Sequence, residues 1–178
     1  MTAKPKQSAG LLLYRRGDSG LKTSGLKAPG RGESGLEVFL VHPGGPFWAK
    51  KNLGAWSIPK GEYVANEEAL AAALREFEEE TGFGEIGSLP GSAFMALGAI
   101  RQNSGKVVTA WAVEFDVDAT KIVSNFCEIE WPPRTGRRLS VPEVDRAAWF
   151  SIPEARDHMF AAQQPLLGRL MDALAGQI

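Results

Sequence analysis

The sequence predicts an α/β chain, an α/β/α sandwich built on a mixed β-sheet, and three observations carry that expectation. Short β-rich runs recur at 8–15, 36–42, 93–102 and 106–117. One amphipathic helix, spanning about 67–81, falls between the second and third of them. Helix signals then return only near the C-terminus, after residue 150. The 178 residues, 44% hydrophobic and 23% charged, suit a single domain with a proper core. No linker or composition break divides them, so residues 1–178 are expected to be one unit.

The first two runs are expected to pair as a hairpin. Between them, residues 16–35 are rich in Gly, Ser and Lys and repeat Ser-Gly-Leu at 19–21, 24–26 and 34–36. That composition reads as a flexible hairpin insertion. The segment His42-Pro43-Gly44-Gly45-Pro46-Phe47-Trp48-Ala49-Lys50-Lys51 follows directly on the second run. Phe47 or Trp48 could stack on a base, and Lys50, Lys51 and the later Lys60 could meet phosphates. A structural loop with buried aromatics and solvated lysines explains the same residues equally well. His42 is open to a phosphate contact or a general-acid role, with packing at the strand end the simpler reading.

The helix is framed by Asn66 as N-cap, by Glu67 and Glu68 in its first turn, and by Gly82 as its stop. At about 100° per residue, Leu70, Ala73, Leu74 and Phe77 share one face. Glu76, Glu79 and Glu80 share the neighbouring face, and Glu78 points to solvent. Crowded like charges cost a few tenths of a kcal/mol per pair, about 0.2–0.5. A solvated acidic helix tolerates that cost, whereas a hard divalent cation removes it by accepting carboxylate oxygens.

The runs at 93–102 and 106–117 should form a second hairpin across Asn103-Ser104-Gly105. Residues 118–140 read as irregular, with Trp131-Pro132-Pro133 as a breaker. Arg134, Arg137 and Arg138 form a local basic cluster there, suited to a distal phosphate or to solvent. Ser151 with Glu154 makes a capping box, and Pro165 opens a last helix running through Leu174. Trp56 and Trp149 occupy strand-like settings and are expected in the core.

Several function classes are disfavoured. A net charge of −1 provides no field for coating nucleic acid. The single Cys127 excludes an intramolecular disulfide framework. His42 and His158, the only histidines, stand far apart, which argues against a zinc site. No signal-peptide pattern or long apolar run is present, which points to the cytoplasm and to no membrane partner.

The spacing around the acidic helix is itself a pattern. Gly61, Glu67, Arg75-Glu76, an apolar Phe77, Glu79-Glu80, Gly82 and an apolar Phe83 resemble the Nudix box at every defined position. Trp56-Ser57-Ile58-Pro59-Lys60-Gly61 resembles the strand and turn that lead into that box. Ser8–Tyr14 resembles the family's first core strand, and Val141–Phe150 its late strand. The resemblance implies a Mg²⁺-dependent pyrophosphohydrolase, with Mn²⁺ as a substitute, on a Nudix-type α/β/α sandwich. It implies Glu79, Glu80 and the Gly61 carbonyl as metal ligands, and Arg75 as the ion-pair partner that holds a box glutamate. Glu76 would be a third ligand or the base that activates water. One further glutamate outside the box is expected, with Glu143 the best placed and Glu128 and Glu130 in reserve.

The implied substrate is a small nucleotide: a nucleoside triphosphate or a dinucleoside polyphosphate. Pro59-Lys60-Gly61 resembles family members acting on dinucleoside polyphosphates or inositol pyrophosphates, whereas members that clear oxidised nucleotides more often carry glycine in place of Lys60. A nucleotide-sensing module without hydrolysis is the alternative of another class, and the whole box argues against it. No stable nucleic-acid partner is expected, and a monomer or homodimer fits.

Overall fold

The computed structural model describes residues 6–17, 35–102 and 104–176. Its first strand, β1 (Gln7–Arg16), is buried on both faces, as its unbroken apolar run requires. Ala9, Leu11 and Leu13 face one core cluster, and Leu12 and Tyr14 face the other. β2 (Leu36–Pro43) pairs antiparallel with β1 only from Tyr14–Val38 to Arg16–Leu36. The Gly17 amide donates to the Gly35 carbonyl beyond that pairing. Most of the expected insertion, 18–34, lies outside the described residues, as does Asn103 of the second turn.

Toward its start β1 leaves β2 and pairs instead with β3 (Lys60–Glu62), from Ser8–Glu62 to Gly10–Lys60. Gly10 permits that approach, because a Cβ there would lie 2.6 Å from the Pro59 carbonyl oxygen and 2.7 Å from Lys60 Cβ. The remaining main-sheet strands are β4 (Met95–Arg101), β5 (Val107–Glu114) and β8 (Val144–Ser151). The order is β4-β5-β1-β2-β8, with β3 beside β1. β1 and β5 run parallel while the other pairs are antiparallel, so the sheet is mixed as expected.

Helix α1 (Ala69–Thr81) covers one face, burying Ala72, Ala73 and Phe77 beside Phe39. α2 (Ile152–His158) and α3 (Pro165–Ala175) cover the other with Ile152, Ala155, Leu166, Leu167 and Leu170. The Ser151–Glu154 capping box is present. Among the described residues, no helix is long and apolar enough to cross a membrane.

Two local expectations are corrected. The N-cap of α1 is Glu68, whose carboxylate accepts from the Ala71 amide at 2.8 Å, rather than Asn66. Residues 118–140 are not irregular throughout: β6 (Phe126–Glu130) and β7 (Arg138–Pro142) form a separate antiparallel hairpin. The alternation Phe126-Cys127-Glu128-Ile129-Glu130 is a strand pattern with Cys127 and Ile129 the less exposed residues, and the Pro-rich breaker is the tip between two strands.

Candidate active site: a carboxylate face beside two joined clefts

The carboxylates of α1 are organised by Arg75. Its Nη1 donates to Glu76 Oε1 at 2.7 Å and to both Glu79 oxygens at 3.3 Å. Its Nε and Nη2 donate to Glu67 at 2.9 and 3.2 Å, and Nη2 also reaches the Glu62 carbonyl at 3.4 Å. One guanidinium therefore ties the turn before the helix to two acids on its third turn, using the fork geometry that lysine lacks. Glu67 is held below the usual carboxylate range by these bonds. Glu76 moves the other way: burial raises it, with Glu79 and Glu143 adding to the shift against the pull of Arg75.

Gly61 forms a cradle for Glu76, since a Cβ at residue 61 would fall 1.8 Å from Glu76 Oε2. Next to it, the Lys60 amide donates to Glu80 Oε2 at 3.1 Å. Burial pushes Glu80 up to about 8, and Glu143 and Glu76 push further in the same direction against the Lys60 ammonium and amide. Glu80 and Glu143 both line one cleft. Among the described residues, no three Asp, Glu, His or Cys side chains close on one point as a finished ligand cage. The acids are held instead by Arg75 and by the Lys60 amide. The donors on offer are all oxygens, and the ionised forms of Glu76 and Glu80 are disfavoured by burial and by neighbouring carboxylates, Glu143 acting on both. Such a set fits a hard divalent cation.

That cleft, of about 360 Å³, runs between the ends of β2 and β8 and the β6–β7 hairpin. Its walls include Trp48, Lys60, Ile129, Val141 and Phe160. A second cleft of about 510 Å³ is lined by Gln102, Ser104 and Ala161 together with Trp48, Lys60 and Phe160. The two thus share one wall, in which the Trp48 and Phe160 rings meet edge to face at 5.3 Å.

A NUDIX domain family model matches residues 30–170 of this chain. The chain belongs to the Nudix family. No curated protein sequence matches it closely enough to be informative. Among solved structures it is similar to a C. elegans Ap4A hydrolase in a binary complex, at 18% identity over 95% of this chain and 98% of that one, with a TM-score of 0.57. It is similar also to the NUDIX domain of Shewanella oneidensis NrtR complexed with ADP ribose, at 15% identity over 97% and 90% of the two chains, TM-score 0.57. A MutT protein from Methanosarcina mazei Go1 shares 17% identity over 98% and 99%, TM-score 0.56. Likeness at these identities establishes the Nudix fold.

Not every sequence-predicted site residue meets at the Nudix box. Gly61, Arg75, Glu76 and Glu79 form one contact group, and Lys60, Glu80 and Glu143 adjoin it at the cleft. Lys51 lies over Phe47 at 3.6 Å and over Trp48 at 4.7 Å, so the aromatic loop is built as a stack. Phe47 is 53% exposed and Lys50 is also on the surface. Arg137 and Arg138 are exposed on the hairpin and line neither cleft, Arg138 facing Glu128 at 3.7 Å. Glu130 accepts from the Gly136 amide at 2.8 Å, so both reserve glutamates serve the hairpin itself. Trp56 is buried, while Trp149 is partly exposed with its indole N–H on the Val117 carbonyl at 3.0 Å.

Sequence reasoning missed Phe160 and the hairpin residues Cys127, Ile129 and Val141. No local signal marks Phe160. It reaches the cleft because its amide bonds the Trp56 carbonyl at 2.8 Å, across more than a hundred residues of chain. The hairpin residues carried a signal in their alternation, masked by the Trp-Pro-Pro run.

Proposed function

We propose that this Nudix-family hydrolase cleaves a phosphoanhydride bond in a nucleoside polyphosphate whose two ends are both recognised, as in a dinucleoside polyphosphate. The observation that carries the two-ended reading is the pair of clefts sharing Trp48, Lys60 and Phe160. A mononucleotide needs one ring-sized recess, whereas two recesses on either side of one cation and one aromatic wall suit a polyphosphate with a group at each end. The C. elegans neighbour named as an Ap4A hydrolase and the Shewanella neighbour bound to ADP ribose support a nucleotide with more than one phosphate. Residues 1–178 are read as a single Nudix domain, with 16–35 inserted in its first hairpin.

In this reading Glu79, Glu80, the Gly61 carbonyl and Glu143 would hold Mg²⁺, with Mn²⁺ able to replace it, and Glu76 is assigned to the base rather than to the ligand set. The ion supplies charge neutralisation at the phosphate oxygens and a more acidic water. Arg75 keeps Glu76 and Glu79 turned to the same side of the helix. Glu76, half-buried and with its carboxyl raised above the ordinary value by burial, would take the proton of the attacking water. Lys60, which lines both clefts, meets the phosphate chain, Lys51 braces the aromatic loop from the rim, and Trp48 and Phe160 flank the bound rings. Phe47 and Lys50 at the rim, and Arg137 and Arg138 on the hairpin, would touch only the outlying parts of a long substrate.

The test is a Mg²⁺-dependent hydrolysis screen with product identification, using Glu79→Gln as the blank. It covers nucleoside triphosphates, oxidised nucleotides, diadenosine polyphosphates, nucleotide sugars and inositol pyrophosphates. Highest kcat/KM on a diadenosine polyphosphate, absent in the blank, is expected. Preference for a mononucleotide overturns the two-ended reading, and silence on every class with ligand binding retained points to a sensing module.

A further inference from the structure

The geometry points to His42 as the positioning residue for the aromatic wall shared by the two clefts. His42 is fully buried and lines neither cleft, so it touches no ligand that enters them. Each ring nitrogen is nevertheless engaged. Nδ1 lies 2.7 Å from Asp145 Oδ1 on β8, and Nε2 lies 2.8 Å from the Lys51 carbonyl oxygen. Arg146 Nη2 approaches the same Nε2 at 3.0 Å, and the ring meets Trp56 edge-on at 5.2 Å. A residue needed only to fill space would not require this hydrogen bonding, because an apolar ring would make the Trp56 contact equally well.

What His42 holds is the loop after β2. Gly44 is tied at one end by its amide to the Glu143 carbonyl at 2.9 Å. Asn52 is tied at the other by the Trp56 indole N–H at 3.0 Å. The turn carrying Phe47 and Trp48 lies between, and its hydrogen bonds are mainly local: Trp48 and Ala49 amides to the Gly45 carbonyl, and the Lys51 amide to the Trp48 carbonyl at 2.8 Å. Where Nε2 carries a proton, its N–H donates to the Lys51 carbonyl and fastens that turn to the sheet. From there the Lys51 ammonium covers Phe47 and Trp48, and Trp48 abuts Phe160. A continuous series of contacts therefore runs from β8 through His42 and Lys51 to the wall. Removing His42 should loosen substrate recognition while leaving the carboxylate face intact.

Two variants test this in the full chain. His42→Phe keeps the ring and its Trp56 contact but loses both oxygen partners; Asp145→Asn keeps the imidazole and weakens its orienting partner. The first measurement is amide hydrogen exchange, which is independent of any substrate. In His42→Phe, amides of 47–51 should exchange about tenfold faster, with those of α1 unchanged, because only a local opening becomes easier. Asp145→Asn should shift the same amides by less. The second measurement rests on the dinucleotide reading above: KM for diadenosine tetraphosphate should rise about tenfold with kcat within about twofold. Unchanged exchange at 47–51 overturns the proposal. Acceleration spread evenly over the sheet with a lowered Tm overturns it too, as does a fall in kcat at constant KM. A wild-type protein inactive on diadenosine tetraphosphate counts against the substrate reading alone, and the exchange result then decides the role of His42.

Discussion

The carboxylate face of α1 and the aromatic wall opposite it are assembled by different means. The acids come from one stretch of chain, 61–80, and one helix and one arginine bring them together. The wall is drawn from the loop after β2, the β6–β7 hairpin and Phe160, joined by bonds between residues far apart in sequence. The first is an electrostatic problem, like charges held together at a cost. The second is a packing problem, aromatic edges held in place by buried polar contacts. Loss of one element should therefore cost chemistry on the helix and affinity at the wall.

The largest effect is expected at the helix. If Glu76 is the base, Glu76→Gln should lower kcat by about 10²–10⁴ while Mg²⁺ affinity, measured by calorimetry, stays near wild type. Loss of Mg²⁺ binding in that variant would place Glu76 in the coordination shell instead. Gly61→Ala should also act on the helix side, because the new methyl would occupy the Glu76 carboxylate position. A kcat reduction of about 10² with little change in KM is expected.

Glu80 links the same face to stability. Its folded-state pKa of about 8 lies above the ordinary carboxylate value, so the folded protein binds the extra proton between the two. Without metal, stability should therefore be highest below about pH 4.5 as far as this group is concerned. It should fall as pH rises toward 8, by at most a few kcal/mol. Urea unfolding in EDTA across that range tests the sign, and Mg²⁺ should flatten the slope. Glu80→Gln should remove it, and a slope that persists in that variant belongs to another group.

At the wall the effects should be smaller and of the other kind. Phe160→Ala removes a ring shared by both clefts and should raise KM for a two-ended substrate about tenfold, with kcat within about threefold. A kcat loss as large as that of Glu76→Gln would break the comparison, since it would make the wall part of the chemistry.

The same contrast decides what could be read from sequence. Glu76, Glu79 and Glu80 were legible because helical periodicity places residues three and four apart on one face without knowledge of the rest of the fold. Strand 8–15 was legible as an apolar run, strand 106–117 from its Val, Ala and Phe positions, and the α2 capping box as a local motif. Asn66 was a reasonable cap by type, but Glu68 stands three residues before an amide its own carboxylate can reach. Phe160 and Ile129 belong to the cleft only because of long-range bonds and a register, which no window of sequence encodes. His42 shows both limits, since its burial was foreseeable at a strand end and its hold on Lys51 was not.

The basic cluster on the hairpin gives the smallest and sharpest test. Arg137 and Arg138 are guanidiniums on a loop, a pattern that suits phosphate, yet both are exposed and line neither cleft. Arg138 faces Glu128 in an exposed pair, the kind that contributes little to stability. Substituting both by alanine should change KM for a diadenosine polyphosphate by less than about twofold at moderate ionic strength. A rise of tenfold or more would mean that the β6–β7 hairpin moves over the bound polyphosphate, because neither guanidinium lines the clefts where the hairpin now stands. The wall would then be a mobile cover over the carboxylate face, and the division between an electrostatic half and a packing half would no longer hold.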